Sequence, residues 1–220
     1  MTVRQIPIQI HASSGLLQRR VFAAALLALP LGGTLVASAQ AAVPGQGAPD
    51  FSATDTAGKA RRLSDFKGRF VVLEWTNAGC PFVRKHYSGN MQALQKEAAA
   101  QGVVWLTINS TEAASSEYLP PAQLARWMAD QQAAPTATLM DESGKVGRLY
   151  GAKTTPHMFI VSPQGQLIYA GAIDSIPSAR VEDIKTATNF VRQGLKEALA
   201  GKPLSVTATR AYGCSVKYSA

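Results

Sequence analysis

The chain holds two cysteines, Cys80 and Cys214, and three histidines. What the first thiol can do depends on its neighbours. Phe70-Val71-Val72-Leu73-Glu74-Trp75 is largely apolar and β-branched, bounded by Lys67-Gly68 and by Asn77-Ala78-Gly79, and reads as a buried strand. Cys80-Pro81 then opens a helix, since proline suits the first helical position, where its missing N–H would be unpaired anyway. Cys80 thus stands where unpaired N–H groups and the helix dipole favour negative charge. A thiol in such a place has a lowered pKa and a larger thiolate fraction. The order strand, turn, Cys-Pro, helix points to a reactive thiol rather than to the small buried core residue that a lone cysteine usually is.

Cys214 lies in a glycine-containing tail, Arg210-Ala211-Tyr212-Gly213-Cys214-Ser215-Val216, suited to folding back over Cys80. As a resolving cysteine it would attack a mixed disulfide or sulfenic acid on Cys80. As a structural partner it would pin the tail, worth a few kcal/mol at most. Either role requires the two Cα atoms to come within about 7 Å, which sequence separation neither favours nor excludes. His86 falls on another helical face than Cys80, and His157 follows Pro156. With one cysteine near either histidine, the ligand count speaks against a metal, and neither metal nor cofactor is expected. Arg84, one helical turn beyond Cys80, reads as a solvated surface residue. No motif supports Ser-His-Asp hydrolysis.

The elements that must position these groups follow an N-terminal leader. Arg4, Arg19 and Arg20 are the only charged residues before Asp50. An apolar stretch from Val21 to Leu31 follows, too short for an ordinary membrane span, and then small residues with cleavage patterns ending at Ala39 and at Ala41. This is the layout of a signal peptide over 1–41, and Arg19-Arg20-Val21-Phe22 partly matches the twin-arginine type. Export to a periplasmic or secreted location is the expectation, in a compartment where disulfides persist. Loss of the three arginines lowers the net charge from +8 to +5. The remaining basic residues are scattered without interleaved aromatics, which argues against nucleic acid. One domain is expected over 42–202, with a tail over 203–220. It begins with a hairpin around Gly58. Beyond Cys80 come a second helical piece capped by Asn90, a strand at 103–109, a helix from Pro120-Pro121 and a strand at 135–140. A short helix closed by Gly151, two strands joined at 162–166 and a last helix from about Ile184 to Ala200 complete the domain. Alternating strands and helices imply an α/β fold with a central mixed sheet.

Four separated pieces carry a family resemblance. Ala48-Pro49-Asp50-Phe51 with Leu63-Ser64-Asp65-Phe66-Lys67-Gly68 resembles the start of redoxin domains. Glu74-Trp75-Thr76-Asn77 with Cys80-Pro81-Phe82-Val83 resembles the active-site strand and helix of the thioredoxin-like superfamily. Tyr150-Gly151 followed by Thr154-Thr155-Pro156-His157 is similar to its Thr-Pro loop, and the ending Tyr212-Gly213-Cys214-Ser215-Val216-Lys217-Tyr218 is similar to that of exported peroxiredoxin-like members. The resemblance implies a thioredoxin-like fold with helices flanking the sheet, an N-terminal hairpin and a C-terminal tail extension. It implies Cys80 as nucleophile, and Thr155, a cis Pro156, Trp75 and Pro81 at the substrate. A cis X-Pro bond lies only about 0.5–1 kcal/mol above trans, so a fold can select it. The exposed backbone of Thr155 would then pair with an extended substrate.

Departures from the family pattern narrow the chemistry. Val83 stands where thioredoxin has its second cysteine, so the ordinary dithiol cycle is absent. Asn77 and Pro156 stand where peroxiredoxins place a Thr and an Arg. The expected function is thiol–disulfide or hydroperoxide-linked turnover at Cys80, with Cys214 as the candidate resolving residue. The partners are a thiol or disulfide protein or a hydroperoxide. The rival is a non-catalytic module whose Thr-Pro groove holds a partner peptide.

Overall fold

The computed structural model describes residues 1–2 and 41–219, and the fold falls within the compact unit Ser38–Ala220. The apolar leader, the twin-arginine-like segment and Ala39 lie outside the described residues; Ala41 is exposed where the described chain begins.

In chain order the elements are β1 (Ser52–Asp55), β2 (Ala60–Arg62), β3 (Val71–Trp75), α1 (Pro81–His86), α2 (Asn90–Ala100), β4 (Val104–Asn109), α3 (Pro121–Asp130) and β5 (Ala137–Met140). Then follow α4 (Lys145–Tyr150), β6 (Thr154–Thr155), β7 (His157–Val161), β8 (Leu167–Gly171), α5 (Phe190–Leu199) and β9 (Cys214–Ser215). Seven strands form one sheet in the order β2-β1-β5-β4-β3-β7-β8, while β6 and β9 make a separate two-stranded ribbon. Strands β3, β4 and β5 are parallel neighbours; β7 runs antiparallel beside β3, and β8 antiparallel beside β7. The sheet is therefore mixed, as expected.

Strand β3 is buried along its whole length because helices cover both faces of the sheet. Its alternation sorts side chains between two cores. Val72 joins Val83, Met91, Leu94, Leu124, Met128, Val191 and Leu195 from α1, α2, α3 and α5. Val71, Leu73 and Trp75 face the opposite way, into a core with Val146 and Tyr150 of α4. Among the described residues no helix is long and apolar enough to cross a membrane.

Two element boundaries differ from the sequence reading. The last helix begins at Phe190, not near Ile184, and Val181–Lys185 forms a separate 3-10 turn. Asn189 is the cause: its backbone is extended (φ −84°, ψ 104°) and its side chain accepts from Arg192 N at 2.9 Å, which caps the helix there. Ala187 accordingly precedes α5. At α2 the cap is Gly89, at φ 128°, and Asn90 is the first helical residue. The Asn90 side chain turns instead to His86 Nδ1, at 2.9 Å.

Candidate active site

Cys80 is the N-cap of α1 and Pro81 its first residue. The turn before it is held by Asn77, whose backbone oxygen accepts from Cys80 N at 3.1 Å and whose Oδ1 accepts from Gly79 N at 2.7 Å. Cys80 is only 1% exposed, because Val83 and Tyr87 pack beside it in the first core. Its thiol donates to the carbonyl oxygen of Thr155 at 3.1 Å, and the Thr155-Pro156 peptide bond is cis.

The tail returns to this spot. Strand β9 pairs antiparallel with β6 in a register that sets Cys214 opposite Thr155. Both cysteines are free thiols, and both meet the Thr155-Pro156 segment, Cys80 through its thiol and Cys214 through the β9 register. Burial pushes the Cys214 thiol up to about 12, with neighbouring Cys80 and Glu117 adding to the rise and Lys217 opposing it. Cys214 therefore holds its proton near pH 7. Gly213 makes the approach possible: its φ is 132°, and a Cβ there would stand 2.0 Å from Thr155 O.

Sequence-predicted site residues thus divide. Cys80, Pro81, Thr155, Pro156 and Cys214 come together. Trp75 does not join them, since alternation along β3 sends its indole into the opposite core, where Nε1 donates to Ser110 Oγ at 3.0 Å. Arg84 is exposed and turns its Nε back onto Ala78 O at 2.9 Å. His157 is buried, its Nδ1 accepting from Lys153 N at 3.3 Å, and burial pushes its pKa down to about 4, helped by the charge of Lys153.

Several further polar residues surround the site. Glu74 shares the face of Val72 and is fully buried. It accepts from Trp105 Nε1 at 2.7 Å, Tyr87 Oη at 2.8 Å, and Thr107 Oγ1 and Gln95 Nε2 at 3.2 Å each. Burial raises its pKa, and those donors oppose the rise. A lone charge in an apolar strand was the signal available for it. Lys85 is buried on α1 and donates to Asp174 Oδ2 at 3.2 Å. His86, pushed down to about 4 by burial, is neutral near pH 7, so its 3.7 Å approach to Asp174 is not then an ion pair. With Asn90 donating to Nδ1, the ring carries its proton on Nε2 and donates to Tyr212 Oη at 3.3 Å. Tyr212 in turn donates to Asp174 Oδ1. Nothing local in the sequence marks Asp174 as the partner of α1.

Residues 44–170 match the AhpC/TSA family. The chain belongs to the AhpC/TSA family. Thioredoxin-like protein YneN of Bacillus subtilis (strain 168) is 31% identical over 131 residues, 59% of this chain and 72% of that protein. Thiol-disulfide oxidoreductase ResA of Bacillus thuringiensis subsp. konkukian (strain 97-27) is 27% identical over 126 residues. That match spans 56% of this chain and 66% of ResA, just under two thirds of it. Among solved structures, an uncharacterized conserved protein from Geobacillus kaustophilus is 26% identical with a TM-score of 0.69, covering 80% of this chain and 93% of that one. A hypothetical protein from Sinorhizobium meliloti 1021 is 23% identical, again with a TM-score of 0.69, covering 82% and 97%. The expected α/β, thioredoxin-like fold is the fold of this AhpC/TSA chain, and family and relatives support a thiol redox function.

Proposed function

We propose that this AhpC/TSA chain is an exported thiol–disulfide oxidoreductase that cycles between the free thiols of Cys80 and Cys214 and a disulfide joining them. The observation that carries the reading is the register that sets Cys214 opposite Thr155, the residue whose carbonyl oxygen accepts from Cys80 Sγ. In the first step the Cys80 thiolate attacks one sulfur of a substrate disulfide. A Cys80–substrate disulfide forms, the substrate's own S–S bond breaks, and the other substrate sulfur leaves as a thiolate that takes a proton. In the second, Cys214 gives up its proton and attacks Cys80 Sγ; the second substrate thiolate leaves and is protonated. The substrate gains two electrons and the protein loses them.

Three points favour a disulfide over a hydroperoxide. Cys80 Sγ contacts the carbonyl oxygen of Thr155, an acceptor, whereas polarising a peroxide bond calls for donors. Arg84 is turned onto Ala78. The Thr154–Thr155 edge already takes an extended chain, β9, and in that register a cysteine stands opposite Thr155, the residue that Cys80 Sγ contacts. Export with cleavage at Ala39 or Ala41 suits a protein that must later be reoxidised or reduced outside the cytosol. In the peptide-groove alternative a partner would take the edge that β9 occupies and leave the thiols unchanged.

Turnover of a disulfide-bonded peptide by wild type, Cys80→Ser and Cys214→Ser tests the reading. Cys80→Ser should abolish reduction, and Cys214→Ser should stop at a Cys80–peptide mixed disulfide visible by mass. Undiminished turnover by Cys80→Ser, or full cycling by Cys214→Ser, would overturn it.

A further inference from the structure

The tail that carries Cys214 is fastened on both sides of Cys80 by a carboxylate. On the α1 side, buried Asp174 accepts from Lys85 Nζ through Oδ2 and from Tyr212 through Oδ1, while His86 Nε2 adds its bond to the same tyrosine oxygen. The Tyr212 ring packs edge-on against Phe82, with centroids 5.8 Å apart. On the other side, Glu117 Oε2 accepts from Asn77 Nδ2 at 2.8 Å, and Glu117 Oε1 lies 3.3 Å from Lys217 Nζ. Asn77 is the residue that shapes the turn into Cys80. One fastening therefore ties the tail just before Cys214 to the helix that begins after Cys80. The other ties the tail just after Cys214 to the loop that precedes Cys80.

We infer that Tyr212 with Asp174, and Lys217 with Glu117, are positioning residues that hold Cys214 in line with Cys80 Sγ for closure of the disulfide. The inference rests on the proposed Cys80–Cys214 cycle. None of the four needs to touch substrate. Their contribution is to raise the effective concentration of one thiol at the other, which a flexible tail would leave low. The two fastenings differ in strength for physical reasons. Half-buried Tyr212 bonds to buried Asp174, where a hydrogen bond to a charged group is worth more than one between neutral groups. Lys217 and Glu117 have side chains 37% and 35% exposed, so their pair is weak and screened by salt.

The test isolates closure. Each protein is loaded as a Cys80–glutathione mixed disulfide, and release of glutathione is followed. In that step Cys214 loses its proton and bonds to Cys80 Sγ, the bond to glutathione breaks, and glutathione leaves as a thiolate that is protonated. Tyr212→Phe should slow release roughly tenfold or more, the worth of a hydrogen bond to a charged group. Lys217→Ala should slow it about two- to fivefold at low salt, with Lys217→Arg restoring the rate and added salt erasing the difference. The attack of Cys80 on oxidised glutathione, measured with Cys214→Ser present throughout, should not be slowed by either substitution, which a merely structural defect would not allow. Closure at the wild-type rate in both Tyr212→Phe and Lys217→Ala would overturn the inference, as would equal slowing of the first step. Should Tyr212→Phe unfold, Lys217→Ala, which removes only partly exposed atoms, still decides. If wild type itself never releases glutathione by closure, it is the proposed cycle that fails, not the positioning.

Discussion

The two thiols meet at one point but are held there by unlike means. Cys80 sits on the joint between a fully buried strand and a helix, fixed by the first core that it shares with Val83 and Tyr87 and by the backbone hydrogen bonds of the Asn77 turn. Many small contacts share that task, so no single one is decisive. Cys214 sits in a two-residue strand within an otherwise irregular tail, held by a few directional polar contacts and one close backbone approach. The lesson is that substitutions on the Cys80 side should be felt in stability, while substitutions on the Cys214 side should be felt in the second chemical step.

Gly213→Ala should break the comparison most sharply. The new Cβ would stand 2.0 Å from Thr155 O, a backbone atom that cannot swing away. The tail must lift from β6, and misplacement of a reacting group by about 1 Å can cost about 10²-fold in rate. Closure onto a Cys80 mixed disulfide should slow by about that factor, while the thermal midpoint stays near that of wild type. Closure at an undiminished rate would show that the tail reaches Cys80 by another path.

A smaller effect sharpens the framework side. Burial holds His86 and His157 down to about 4, against an ordinary 6.5. Each binds its proton more tightly in the unfolded chain, so its contribution is complete above pH 6.5 and is lost as the pH falls from there toward 4. The full loss is up to about 3 kcal/mol per histidine. The raised carboxyl of Glu74 acts in the opposite sense, so the informative quantity is the difference between wild type and His157→Gln. Urea midpoints at pH 7 and pH 5 should fall less steeply with acid in the variant; parallel slopes would contradict the assignment.

The same contrast explains what the sequence made legible. The strand at Val71–Trp75, Pro81 at the first helical position and the glycine hairpin all follow from local pattern, so the Cys80 half could be read directly. Ile184 and Ala187 fit the helical period of α5, yet the chain is interrupted by Asn189, because a cap decides a boundary that periodicity does not. Pairing of β9 with β6 joins two residues to two others far away in sequence, and two residues carry no periodicity. The cis Thr155-Pro156 bond came into view only through family resemblance, and Asp174 and Glu117 had no local signal at all, since their partners come from distant segments. Trp75 shows the limit of motif reading: it lies within the active-site motif, but strand alternation turns it to the far core.

The central claim is that Cys80 and Cys214 form one redox pair. Its most direct test is non-reducing peptide mapping of the purified protein after equilibration with oxidised glutathione. The account predicts a single linked species in which the Cys80 peptide is joined to the Cys214 peptide, absent from Cys80→Ser. Two cysteines separately capped by glutathione, with no linked peptide at any ratio of oxidised to reduced glutathione, would contradict it.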